Sequence, residues 1–374
     1  MRPLFDLARS LALAAGVVIF GGLATPASHA QAVRAVPVAK GLEHPWAVAF
    51  LPQGRFLITE RPGRMRVVEA NGRIGEPISG VPRVAAGGQG GLLDVVTDSA
   101  FDSNRTVYFC FSEPGLVGNS TALARARLSA DLSRLEDMRV IFSQKPKVAS
   151  SLHFGCRIVE AGGHLFLTLG DRYQRMADAQ KLDNHLGKVV RITKQGEPAP
   201  GNPFIGRAGA LPEIWSYGHR NSQGATLGPE GKLWMHEHGP QGGDEINVPL
   251  AGRNYGWPVI TFGENYGGGR IGEGLTSHAG MEQPLRYWVP SIAPSGMTFL
   301  SSDRYGPAFK GNLFVGSLKF GYLARLEFAN GKLGREHKLL DNGERVRDVR
   351  QGPDGFLYVL TDSSRGALLR LSPE

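Results

Sequence analysis

The sequence predicts an all-β fold in which short-stranded sheets are arrayed radially. Three observations carry this. The chain holds 51 Gly and 24 Pro in 374 residues, a density that favours tight turns over long helices. Short runs rich in β-branched and aromatic residues recur throughout: 48–50, 56–58, 65–68, 107–109, 165–167, 233–235, 313–315 and 357–360. A Pro-containing turn leads into an apolar run at Leu51-Pro52-Gln53-Gly54, Gly228-Pro229-Glu230-Gly231 and Gly352-Pro353-Asp354-Gly355. The turns stand about three and two units of some 60 residues apart, so the chain has room for about six units. A six-bladed β-propeller is therefore expected, with its site on one face at the central channel, where loops from distant blades converge. A β-sandwich with coincidental hairpin turns is the alternative.

The first thirty residues stand outside that architecture. Arg2 and Arg9 precede an uncharged apolar run from Leu11 to Ala24, and Ser28-His29-Ala30 follows Pro26. This is the pattern of a secretory signal peptide, with cleavage expected after Ala30. A single propeller domain over residues 31–374 and a periplasmic or secreted location follow, with no later apolar run long enough to span a membrane. The formal charge is +8. Lys and Arg are scattered and not clustered in runs, which argues against nucleic acid and suits an anionic small ligand or an acidic redox partner. Cys110 and Cys156 are the only cysteines; one disulfide in an oxidising compartment and two buried thiols both remain open. Monomer and dimer both stand.

Polar residues and glycines crowd one block: Trp215 to Gly224, Glu237 to Asn247 and Gly252 to Pro258. Further motifs are Gly88-Gln89-Gly90-Gly91, His153-Phe154-Gly155-Cys156-Arg157, Leu169-Gly170-Asp171-Arg172, Ser317-Leu318-Lys319 and Arg345-Val346-Arg347. Arg345 and Arg347 are two apart, so on a strand both guanidinium groups leave one face as a fork for carboxylates. On their own they could equally pair with Glu344 and Asp348 on a solvated face. His153 is a candidate general base, because imidazole titrates near neutrality, and Asp171 is placed to hold its other ring nitrogen. The Gly239-Pro240-Gln241-Gly242-Gly243 loop can turn carbonyls toward a hard cation such as calcium. His236 and His238 would point the same way on a strand, and a channel-facing structural role is expected for them.

In this order along the chain, the motifs resemble the soluble family of glucose and aldose sugar dehydrogenases that depend on pyrroloquinoline quinone (PQQ). The resemblance implies a six-bladed propeller that oxidises an aldose to its lactone, with PQQ and Ca2+ as cofactors and an external acceptor, a cytochrome or a quinone, taking the electrons. It assigns proton abstraction to His153, its orientation to Asp171, and stabilisation of charge on the quinone oxygen to Arg220. It gives cofactor contact to Gln89, Arg220, Asn221, Lys319, Arg345 and Arg347, beside His153 and His238. His238 stands where glucose-oxidising relatives generally carry Gln. Carbonyls of Gly239 and Pro240 are implied for one calcium, and Glu245 with Tyr255 for another. The shorter segments between motifs resemble the broad-specificity aldose branch. A calcium-dependent propeller lactonase and a non-catalytic glycan-binding propeller are the rival readings; the first has no use for the cationic fork, and the second none for His153, Asp171 and Arg220.

Overall fold

The structure, a computed structural model, describes residues 33–374, so the candidate signal segment lies outside the described residues. Six four-stranded antiparallel sheets follow one another along the chain. The first is Pro45–Leu51, Arg55–Glu60, Arg64–Val68 and Ile74–Pro77, and the next four begin with Leu92–Thr97, Gly155–Ala161, Ser222–Leu227 and Pro294–Phe299. The sixth is Val346–Gln351, Leu357–Thr361 and Gly366–Pro373, completed by Val33–Leu42 from the start of the described chain. Each first strand packs on the next, and the first blade's packs on the sixth's. The ring is closed, and the molecule is a six-bladed β-propeller.

All eight apolar runs lie in strands, and the three Pro turns join first to second strand in blades 1, 4 and 6. Their spacings of three units and two therefore count blades. The first strands read as continuous apolar stretches where neighbouring blades cover both faces; Pro45–Leu51 is buried at all but one position. The largest core cluster runs from Trp46 through Phe109 to Leu167, across blades 1 to 3. Cys110 and Cys156 are bonded, joining blade 2 to blade 3 across 46 residues with Cα atoms 5.8 Å apart. By chain entropy such a link stabilises the fold by about 4 kcal/mol.

Two repeated features sit at the site end of the blades. Every first strand breaks register near its start, between Pro45 and Ala47, Leu92 and Val95, Gly155 and Ile158, Ser222 and Gly224, Pro294 and Met297, and Val346 and Asp348. A bulge re-aims the side chains beside it, and Trp46, Asp94, Arg157, Gln223 and Arg347 all stand at these breaks. In four blades, a carboxylate at the end of the second strand grips the loop entering that blade, 17 or 18 residues earlier. Glu60 takes Glu43 N, Asp171 takes the His153 ring, Glu237 takes the His219 ring and Arg220 N, and Asp362 takes Arg345.

Candidate active site

A cavity of about 530 Å³ opens at this face and is lined by Trp46, Arg61, Gln89, Gln223, His238, Pro240, Lys319, Arg345, Arg347 and Asp362 among others. Four cations thus face one carboxylate. Asp362 is not free to neutralise them further, since its Oδ2 already accepts from Arg347 Nη2 at 2.7 Å and Arg345 Nη2 at 3.1 Å. Burial alone would raise the Asp362 pKa, but Arg347 and then Arg345 outweigh it and hold the carboxyl far below the usual range. Arg345 and Arg347 therefore share one anchor inside the cavity. Asp348 pairs elsewhere, with Arg157 and Arg350.

His153 adjoins the cavity through Gln89, whose Oε1 accepts from His153 N at 2.9 Å. Its side chain is 5% exposed, and its Nδ1 meets Asp171 Oδ1 at 2.6 Å. Asp171 is itself fixed, with Tyr173 N donating to Oδ1 at 2.8 Å and Trp257 Nε1 donating to Oδ2 at 2.7 Å. With Nδ1 as the donor to the carboxylate, Nε2 is the basic nitrogen. Burial lowers the His153 pKa, the Asp171 bond opposes it, and the nearby Arg220 and Arg172 charges lower it further. The backbone is equally constrained. His153 stands in the left-handed region at φ 52°, and a Cβ on Gly170 would lie 1.9 Å from its carbonyl oxygen. Only glycine permits that approach.

Arg220 lies on Trp257, 5.1 Å from the ring centroid. Its Nη1 donates to His238 O at 3.0 Å and Gly239 O at 2.9 Å. The Gly239 carbonyl that the resemblance offers to calcium thus already takes one hydrogen bond. Asn221 does not line the cavity: it is fully buried behind Gln89, with its Nδ2 3.5 Å from Gln89 Oε1 and its Oδ1 accepting from Gly155 N. His238 lines the cavity and is neutral, since burial pushes its pKa down to about 3. His238 and His236 meet the successive carbonyls of Pro294 and Ser295 in blade 5. The pair braces a neighbouring blade.

The residues fit an anionic cofactor. Arg220 Nε and Arg347 Nε are buried donors with no partner among the described residues, in or beside a cavity whose net charge is positive. Among the described residues no three His, Cys, Asp or Glu side chains are grouped to hold a metal, so a cation at Gly239 and Pro240 would rest on carbonyls. The loop is closely packed there: a Cβ on Gly239 would meet Gly242 O at 2.0 Å. Glu237 and Glu245 line one small cavity with Arg220 and Tyr255. Burial, then the Glu237 charge, raises the Glu245 pKa well above the usual range, a strain that a hard cation would relieve. The Tyr255 hydroxyl is taken by Val248 O and Leu250 N, which leaves its carbonyl as the candidate ligand. The sequence reading missed Trp46, Arg61 and Asp362, and it gave no role to Gln223, Glu237 and Trp257 within the block it singled out. Asp362 had a signal, because Leu360-Thr361-Asp362 closes a second strand as Leu169-Gly170-Asp171 does.

A closed propeller with a histidine–aspartate pair beside a cationic cavity defines the class of sugar-oxidising dehydrogenases when read with its relatives. The sequence matches the Glucose / Sorbosone dehydrogenase family over residues 42–370, and the chain belongs to that family. It is 49% identical over 338 residues to the aldose sugar dehydrogenase YliI of Escherichia coli K12, covering 89% of this chain and 91% of that protein. The crystal structure of the soluble aldose sugar dehydrogenase from Escherichia coli in its apo-form superposes with a TM-score of 0.88 at 46% identity, covering 91% of this chain and 100% of the other. The PQQ-bound aldose sugar dehydrogenase of Streptomyces coelicolor gives 0.74 at 27%, covering 91% and 98%. The protein is a sugar dehydrogenase, an oxidoreductase. Among the described residues, no helix is long and apolar enough to cross a membrane.

Proposed function

We propose that this enzyme oxidises the hydroxyl of an aldose to the lactone with PQQ and calcium, and that it acts after export, with residues 1–30 removed. The observation that carries the reading is the meeting of Arg61, Lys319, Arg345 and Arg347 around one cavity, beside a base held by a carboxylate. PQQ, when bound, supplies the hydride acceptor, and calcium would polarise its carbonyl. Gln89, Lys319, Arg345 and Arg347 would hold the cofactor's carboxylates, and Gly239 and Pro240 the calcium.

The chain's own residues do the rest. His153 Nε2 takes the sugar hydroxyl proton as hydride leaves the same carbon. Asp171 keeps Nδ1 protonated and stabilises the imidazolium that forms, while Trp257 and Tyr173 N fix Asp171. Arg220 supplies positive charge where negative charge develops. Electrons then pass to an external acceptor.

Titration of the calcium-loaded apoprotein with PQQ, against a panel of aldoses and a redox dye, tests the reading. Dye reduction should appear only with PQQ, calcium and sugar together. Lactone opening without quinone, or no turnover on any sugar, would overturn it.

A further inference from the structure

The ring of His153 is held by Asp171, but its backbone stands in the left-handed region, a conformation uncommon for residues with a Cβ. The next residue after Asp171 grips the segment on both sides of it. Arg172 is fully buried, and its guanidinium spans the loop that carries His153. Nε donates to Leu152 O at 3.0 Å, Nη2 to Ser150 O and to Asn119 Oδ1 at 2.6 Å, and Nη1 to Asn119 O at 3.2 Å. Its Cζ lies 3.8 Å from the centroid of the Phe154 ring. The residues immediately before and after His153 are thus both seized by one side chain.

Arg172 makes no ion pair among the described residues; its bonding partners are carbonyl and amide oxygens. Burial lowers its pKa to about 10, which leaves it charged at neutral pH. A buried cation satisfied only by dipoles is an expensive way to fill space, whereas a planar fork of five donors is suited to fixing several carbonyls at once. Arg172 and Tyr173 also adopt positive φ, at 63° and 66°. That turn sends the Arg172 side chain inward and sets the Tyr173 ring edge-on to His153, 5.3 Å between centroids.

We infer that Arg172 is the positioning residue for the His153 backbone, as Asp171 is for its ring. The inference rests on His153 being the base. Loss of the fork would let segment 150–154 relax and carry Nε2 away from the substrate, and a displacement of about 1 Å lowers turnover by about a hundredfold.

Amide hydrogen exchange on the apoprotein, with kinetics on the reconstituted enzyme, tests it in Arg172→Met, Arg172→Lys and Asn119→Ala. Arg172→Met should exchange the amides of 150–154 at least tenfold faster, with blades 5 and 6 unchanged. Its kcat should fall about a hundredfold, with KM for the sugar and PQQ affinity within threefold. The charged groups around the His153 ring are Asp171, Arg220 and Arg172, with Tyr173 and His238 also titratable. Removing the Arg172 charge should therefore move the acid limb of kcat to higher pH. Arg172→Lys keeps the charge without the fork, so the limb should stay while exchange still rises. Should Arg172→Met fail to fold, Asn119→Ala removes one of the fork's acceptors and should raise exchange in the same segment. Unchanged exchange at 150–154 in these variants, or a kcat for Arg172→Met within twofold of wild type, would overturn the inference. A wild-type protein inactive on every sugar would instead sink the catalytic reading, and the exchange data would still decide what Arg172 holds.

Discussion

At the scale of single residues, the site is a set of side chains whose protonation and direction are fixed before substrate arrives. His153 must be neutral to act as a base. Its folded pKa lies below the ordinary 6.5 because burial and the Arg220 and Arg172 charges outweigh Asp171. The sign follows directly: activity is present above that lowered pKa and is lost as pH falls through it. The acid limb of kcat/KM should accordingly lie below pH 6.5, and a limb above 7 would contradict the assignment. His153→Ala should retain PQQ binding, measured by absorbance titration, and lose about a hundredfold or more in kcat. The pairing of His153 with Asp171 could be expected from the sequence through the ordered set of motifs that carries them. The role of Trp257 could not, since an indole that fixes a carboxylate 86 residues away leaves no mark in spacing. Asn221 lies one layer behind Gln89, a depth that sequence spacing does not reveal.

The same limit appears in the secondary-structure elements. Strand positions and turn spacing could be read from composition and period. The register breaks that begin all six first strands could not, because a bulge depends on the partner strand. Those breaks have consequences for the cavity wall. Arg157 stands at the one in blade 3, where its Nε donates to Gln223 O at 2.7 Å and its Nη2 to Arg347 O at 3.3 Å, with its Cζ 4.1 Å from the Trp46 ring centroid. It also pairs with Asp348 at 2.9 Å and lies 3.6 Å from Asp94, while Arg350 meets both carboxylates from the other side. This ion network lies under three cavity-lining residues. Arg157→Leu would leave two buried carboxylates sharing one guanidinium, and it should destabilise the fold by about 3–5 kcal/mol, read from urea unfolding. It should also weaken PQQ binding through Gln223 and Arg347. A loss of stability under 1 kcal/mol would show that Arg350 balances the charges alone.

For the whole molecule, the decisive element is the one that closes the ring. The site gathers residues from all six blades, so its geometry holds only while blade 6 stays docked to blade 1. Val33–Leu42 forms the outer strand of blade 6, pairing with Gly366–Pro373 from Val33 opposite Pro373 to Leu42 opposite Gly366. The chain then turns directly into Pro45–Leu51, the first strand of blade 1. One short segment thus ties the two ends of the circle. It begins three residues after the cleavage expected at Ala30, so a mature chain starting at Gln31 keeps the strand whole. A chain starting at Glu43 would lose it and expose the edge of Gly366–Pro373, an invitation to intermolecular pairing. Arg345 and Arg347 share Asp362 with His44 of the blade 1 loop, a junction that the lost strand leads directly into. The Glu43 truncation should melt well below the Gln31 form, bind PQQ weakly and aggregate on heating, as calorimetry and light scattering would show. Equal melting of the two forms would mean that the contacts between first strands hold the ring shut without the closing strand.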